Sequence, residues 1–231
     1  MSGQLTLGLS LPEDSTFDNF YPGRNLELVN LLRTVAGGRG DQYVYFWGAP
    51  SSGRTHLLHA SCHLAHSLGL GAIYLPLNDV VKQGNVGVFE DLESLNLVCL
   101  DDIQAIAGKR EWEEAFFHFY NRIHDSGRRF IISGDHKPVN LGMGLNDVIS
   151  RLSWGLVFNL EALNDDERLQ AMSLRAQTRG LDMPENVAAF LLKHCQRDMS
   201  SLFKILETLD EESLAAQRKL TIPFVKQALN I

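Results

Sequence analysis

The run Gly48-Ala49-Pro50-Ser51-Ser52-Gly53-Arg54-Thr55 constrains this chain more than any other stretch. Tyr43-Val44-Tyr45-Phe46-Trp47 before it is aromatic and β-branched and reads as a strand. His56 to Leu70 after it reads as a helix. Strand, glycine-rich loop and helix together form the setting of a phosphate-binding loop. Glycine lets the backbone close on an anion. The N–H groups of the loop and of the helix start then point at it. Gly48, Pro50, Ser51, Ser52, Gly53, Arg54, Thr55 and His56 are therefore the expected phosphate site, and the Thr55 hydroxyl is placed to ligate Mg²⁺. Arg54 stands where such loops usually carry lysine. Arginine keeps the charge and grips phosphate with two N–H groups, but it is bulkier and planar. Nucleotide binding is expected to survive and hydrolysis to be weak.

Composition narrows the rest. The chain has 231 residues, 45% hydrophobic and 21% charged, enough for one large core, or one core and a small satellite domain. A formal charge of −7 argues against a general nucleic-acid binder, although it leaves room for a local basic patch. Cys62, Cys99 and Cys195 have neither metal nor redox spacing and read as reduced thiols. The first residues lack a basic and then apolar leader, and no apolar run is long enough for a bilayer. No membrane association and a cytoplasmic location are expected.

Residues 1–14 read as a tail. Within it, Gln4-Leu5-Thr6-Leu7-Gly8-Leu9 alternates as an extended segment with one apolar edge would. Either it packs back on the domain or it offers its leucines to a partner. The aromatic, turn-rich stretch from Thr16 to Asn25 suits a base-pocket wall or a core plug. On the loop helix, His56, His59, His63 and His66 share one face, which reads as solvated rather than metal-binding. Ala72–Leu75 is a second strand, and residues 76–95 read as polar and irregular, with at most short helices. Leu97–Leu100 is a fully apolar strand ending in Asp101-Asp102, the Walker B pattern of phosphate-loop proteins. Asp101 would hold Mg²⁺ through water, and Asp102 would sit where a base or water-positioning group is needed.

Residues 111–125 form an amphipathic helix whose Trp112, Phe116, Phe119 and Ile123 read as core. Residues 128–133 are a buried strand, and Ser133 at its end suits either a γ-phosphate contact or a simple turn. A short helix over 145–152 and a strand over 156–160 complete the alternation. The strands predict a five-stranded parallel α/β sheet. After Leu163 only helices are read, over 165–178, 184–195, 200–211 and 222–229. The expected division is a tail (1–14), an α/β nucleotide-binding domain (15–162) and a small all-α domain (163–231).

A phosphate-loop sheet followed by a helical lid resembles the AAA+ ATPases. Particular motifs resemble the branch formed by the bacterial initiator DnaA and its shorter Hda-type regulators. Residues 53–60 look like the branch's loop and helix, 100–104 like its Walker B strand, and 16–20 like its pocket-opening segment. Residues 150–156 are similar to its box VII and 217–223 to the Hda-type C-terminus. The resemblance implies roles that the residues alone do not. Arg151 would be an arginine finger directed at a nucleotide in a neighbouring subunit. Arg197 would be the lid's sensor arginine, and Ser133 or Asp135 the strand-end sensor. Tyr21, Pro22 and Asn25 would lie against the base. Gln4, Leu5, Leu7 and Leu9 resemble a sliding-clamp-binding peptide, with Gly8 where proline is common. Asp147 replaces a second basic residue of box VII, and the chain ends near the lid, where DnaA carries a helix-turn-helix DNA-binding domain.

The resemblance therefore implies regulatory inactivation of DnaA. An ADP-bound protein, or one bound to another nucleoside diphosphate, would dock with Mg²⁺ in its site on the DNA polymerase III sliding clamp. It would drive ATP hydrolysis in DnaA, touch DNA only through the clamp, and could form a homodimer or higher oligomer. The rival expectations are a phosphate-loop kinase for a small metabolite and a DNA-loading factor of the DnaC type, which would bind single-stranded DNA with strong salt dependence.

Overall fold

The computed structural model describes residues 15–231. The expectations for Gln4, Leu5, Leu7 and Leu9 therefore lie outside the described residues. Five strands form one parallel sheet: β1 (Tyr43–Trp47), β2 (Ala72–Pro76), β3 (Leu97–Asp101), β4 (Arg129–Gly134) and β5 (Leu156–Asn159), in the order β2-β3-β4-β1-β5. A parallel sheet needs helical crossovers that cover both of its faces, so its central strands carry near-continuous apolar runs. Side chains still alternate between the faces. Tyr43 and Tyr45 of β1, Val98 and Leu100 of β3, and Phe130 and Ile132 of β4 enter one core. Val44, Phe46, Leu97, Cys99 and Ile131 enter the other.

The helices follow from that division. α1 (Leu26–Ala36) and α2 (Arg54–Ser67) cover the second face through Leu28, Leu32, Leu57, Leu58 and Cys62. α3 (Leu77–Gln83), α4 (Arg110–Asp125) and α5 (Asn146–Leu152) lie on the first face, with Trp112, Phe116 and Phe119 of α4 in the core as the stripe implied. The stretch over 76–95 holds only short helices, as expected, but it is less polar in its packing than it reads. Besides α3 it forms short 3-10 turns that bury Leu77, Val80, Val88, Phe89 and Leu92. Its apolar residues follow neither a 3.6 nor a 2.0 period, so they give no periodic signal.

After β5 the chain is helical: α6 (Asp165–Thr178), α7 (Glu185–His194), α8 (Met199–Ala216) and α9 (Ile222–Leu229). A capping box between Asn164 and Glu167 starts α6, and Asp198 caps α8 by accepting from the Ser201 N–H at 2.9 Å. These helices enclose their own core around Met172, Leu191, Leu202, Leu206 and Phe224. The linker to them is tied to the turn before α1. The Asn25 amide donates to the Glu161 carbonyl at 3.0 Å and accepts from the Glu161 N–H at 2.8 Å. Arg24 pairs with Glu161 at 3.0 Å and Glu167 at 3.5 Å.

Candidate functional site

The site lies where β1, β3 and β4 end, as ligand sites of open α/β sheets do. Gly48 leaves β1 so close to the linker that a Cβ there would stand 2.7 Å from the Leu160 carbonyl oxygen and 2.8 Å from Ser52 Oγ. Ser51 and Gly53 adopt φ values of 60° and 100°. A Cβ on Gly53 would meet the Phe20 ring at 2.7 Å, so side-chain strain and steric overlap coincide there. The loop passes directly into α2, whose first N–H groups face it. Ser52 Oγ and Arg54 Nε are buried without a hydrogen-bond partner among the described residues. Two unsatisfied groups beside a glycine-shaped cradle at a helix start fit a bound phosphate.

β4 separates the loop strand from β3, so Ser133 falls between the loop and the acidic pair. Asp101, 3% exposed, accepts from Thr55 Oγ1 at 2.6 Å, Tyr74 OH at 2.8 Å and the Ser133 hydroxyl. Thr55 and Asp101 thus stand together as a Mg²⁺ site requires: a hydroxyl oxygen to ligate and a carboxylate to hold a bound water. Asp102 sits in the left-handed region at φ 58°. It takes Arg54 Nη2 at 2.7 Å, Asn78 Nδ2 at 2.7 Å and Gln104 Nε2 at 2.9 Å. The other terminal nitrogen of Arg54 donates to the Gly48 carbonyl.

The expectation that Ser133 touches a phosphate needs correction. Ser133 is fully buried, and its hydroxyl donates to Asp101 and accepts from the Asp102 N–H at 3.1 Å. Both of its polar capacities serve the acidic pair. Asp135, the alternative, lies 3.0 Å from a His136 ring nitrogen.

A cleft opens beside the loop, walled by Phe20, Tyr21, Asn25, His56, Met199 and Phe203 among others. Tyr21 and Asn25 are therefore brought to the loop, although the Asn25 amide is committed to Glu161. Pro22 precedes the turn Gly23–Asn25 and is not part of that wall. His56 donates to the Thr16 carbonyl at 2.7 Å. The solvated histidine face is overturned at His59, which is buried and meets the Tyr74 ring edge-on at 4.2 Å between centroids. Among the described residues, no group of three or more acidic, histidine or cysteine side chains has metal-site geometry. Arg197 borders the space over Pro50 and Ser51 together with Arg168, which the sequence did not single out. Both arginines share Asp165, at 3.2 Å and 2.6 Å.

Arg151 stands elsewhere. It lies on α5, next to Leu152, whose carbonyl accepts from Tyr43 OH at 3.0 Å. Tyr43 begins β1, so Arg151 is at the end of the sheet opposite the loop, about 13 Å away along the strand. The half-buried guanidinium rests over the rings of Phe117, Tyr120 and Trp154 at 5.5–5.8 Å, and no carboxylate pairs with it among the described residues. Trp154 is 55% exposed, and its ring stacks on His124 at 5.2 Å.

A glycine loop on β1, an acidic pair on β3 separated from it by β4, and a helical lid over the cleft define an AAA+ fold. The family model described as the bacterial DnaA ATPase domain matches residues 11–159, and that of the Hda lid domain matches residues 165–229. The chain belongs to this DnaA-related AAA+ family, with a lid of the Hda kind. Domain III of the replication initiation protein DnaA from Thermotoga maritima superposes with a TM-score of 0.80 at 24% identity, over 96% of this chain and 98% of that one. AMPPCP-bound DnaA from Aquifex aeolicus superposes at 0.71 with 22% identity, over 89% and 68%. RuvB from Thermotoga maritima has the same fold at 0.66 with 15% identity, over 93% and 73%. Among the described residues, no helix is long and apolar enough to cross a membrane.

Proposed function

We propose that the protein is a nucleotide-bound regulator that inactivates the replication initiator DnaA by stimulating its ATP hydrolysis in trans. The observation that carries this reading is Arg151, held on an aromatic shelf at the sheet end away from its own loop. A guanidinium there cannot serve its own nucleotide. It is available to stabilise charge building on the γ-phosphate in a neighbouring DnaA. A nucleoside diphosphate, ADP first, sits between loop and lid, with its base toward Tyr21 and its phosphates in the loop and near Arg197. Thr55 ligates Mg²⁺, and Asp101 holds it through water. The occupied state of Asp102 supports weak turnover by this protein: its oxygens face Arg54, Asn78 and Gln104 rather than an attacking water.

Residues 4–9 dock on the sliding clamp, which brings the regulator to DNA indirectly, in the cytoplasm. A homodimer or higher oligomer would set Arg151 of one copy toward the loop of another. The test is DnaA-ATP hydrolysis with and without this protein and the DNA-loaded clamp. Acceleration is expected only when both are present. A phosphorylated small molecule made by the protein alone would indicate a kinase instead. Salt-sensitive binding to single-stranded DNA would indicate a loading factor.

A further inference from the structure

We infer that Trp154 is a positioning residue for Arg151: its ring holds the guanidinium by the face and leaves the N–H edge free for a phosphate in a neighbouring DnaA. The inference rests on the trans role proposed above for Arg151.

Trp154 lies in the turn between α5 and β5, and its N–H donates to the Arg151 carbonyl at 3.1 Å. The turn brings the indole over the guanidinium, with the central carbon 5.5 Å from the ring centre. Phe117 and Tyr120, both on α4, stand at 5.8 Å and 5.7 Å. A cation within about 6 Å of a ring centre is drawn to the π face, and indole draws it most strongly. Among the described residues, no carboxylate or other acceptor binds the Arg151 side chain, so rings hold it. A carboxylate would fix the guanidinium by consuming N–H donors. Rings fix it through the face and leave all of its donors at the edge unspent.

The three rings are not equivalent. Tyr120 belongs to the core on that face of the sheet and Phe117 packs against it, so both have a packing duty. Trp154 is exposed and belongs to none of the three cores. It is still anchored. Its ring stacks on His124 at 5.2 Å and 27°, and His124 stacks on Tyr120 at 6.2 Å and 9°. The stack ties the indole to α4, which is fixed in the core by Phe116 and Phe119. A ring fixed in this way restricts the swing of a long side chain, whose fork must meet a phosphate within a narrow range of position and angle.

The test is DnaA-ATP hydrolysis with the DNA-loaded clamp, followed as the full-length protein is titrated in. Trp154→Ala should lower the saturating rate about tenfold or more and leave the half-saturating concentration within about twofold, and Trp154→Phe should recover most of the rate. An unchanged saturating rate in Trp154→Ala overturns the inference. A loss confined to the half-saturating concentration also overturns it, because the indole would then be a contact with DnaA. So does a Trp154→Phe rate as low as that of Trp154→Ala. A second measurement needs no partner. In ¹H–¹⁵N spectra the Arg151 Nε–H signal, identified by its loss in Arg151→Lys, should lie upfield of exposed arginines and move toward them in Trp154→Ala; an unmoved signal overturns the inference. If Trp154→Ala does not fold, His124→Ala withdraws the ring on which the indole rests; a lowered saturating rate supports the inference, and an unchanged one overturns it. Absence of stimulation by the wild type overturns the trans role, and the spectra then decide whether Trp154 holds Arg151.

Discussion

His59 is buried against Tyr74, and burial lowers its pKa from the ordinary 6.5; Asp101 opposes the shift in part and His63 adds to it. Between the lowered folded value and 6.5, the unfolded chain binds more protons than the folded one. The stabilisation is therefore complete above pH 6.5 and is lost as the pH falls through that value toward the folded one. Melting temperature measured from pH 8 to pH 5.5 should fall on the acid side, and His59→Phe should flatten that fall. Arg54 governs the opposite side of the site. Arg54→Ala removes a charge-assisted phosphate contact and should weaken ADP binding by about 1.5–3 kcal/mol in calorimetry. The placement of Thr55 beside Asp101 was legible because motif and strand end fix both positions locally. The bonds from Tyr74, Asn78 and Gln104 were not, since nothing in a single sequence says that β2 and the turn after β3 converge on the acidic pair. The buried state of His59 was missed for the same reason: its face is polar in sequence, and only the position of β2 makes that face internal.

At the scale of elements, Glu113 fastens α4 to the loop before α5. It is 1% exposed and accepts from the backbone N–H groups of Gly108 at 2.7 Å, Gly144 at 2.9 Å and Leu145 at 2.7 Å. Removing the carboxylate strands three donors, each costing about 1–3 kcal/mol when buried without a partner. Glu113→Ala should destabilise by about 3 kcal/mol or more in chemical denaturation, whereas the neighbouring exposed pair Arg110–Glu114 should contribute under about 1 kcal/mol. The strands were readable because central parallel strands are apolar throughout, and α6 and α9 because caps and periodicity agree. α8 begins at Met199 and runs to Ala216, beyond the expected 200–211. Its last turns carry acidic and small residues with little apolar signal, and Leu214 is 73% exposed. Glu113 itself reads as an ordinary surface residue of an amphipathic helix.

For the molecule as a whole, the phosphate loop and Arg151 occupy opposite ends of one sheet, so their functions should separate on mutation. Arg151→Ala should leave ADP affinity unchanged while removing most stimulation of DnaA-ATP hydrolysis, an effect of up to about 10³–10⁵ in rate for a supplied finger. Arg151→Lys should restore little, because lysine lacks the planar fork. A hydrolysis assay beside an ADP titration checks both halves. The strap from Arg24 and Asn25 to Glu161 and Glu167 has a consequence in time rather than affinity. Phe20, Tyr21 and Asn25 wall one side of the cleft, and Met199 and Phe203 wall the other. The strap ties the first wall to the linker and to the first turn of α6, so a bound nucleotide is expected to leave faster when the strap is cut. Release of a fluorescent diphosphate in stopped flow should be several-fold faster in Arg24→Ala, a modest change because the ion pair is largely exposed. A strap that slows departure would give the protein a memory: its occupancy would report the nucleotide pool of some moments earlier, and brief fluctuations would pass without effect.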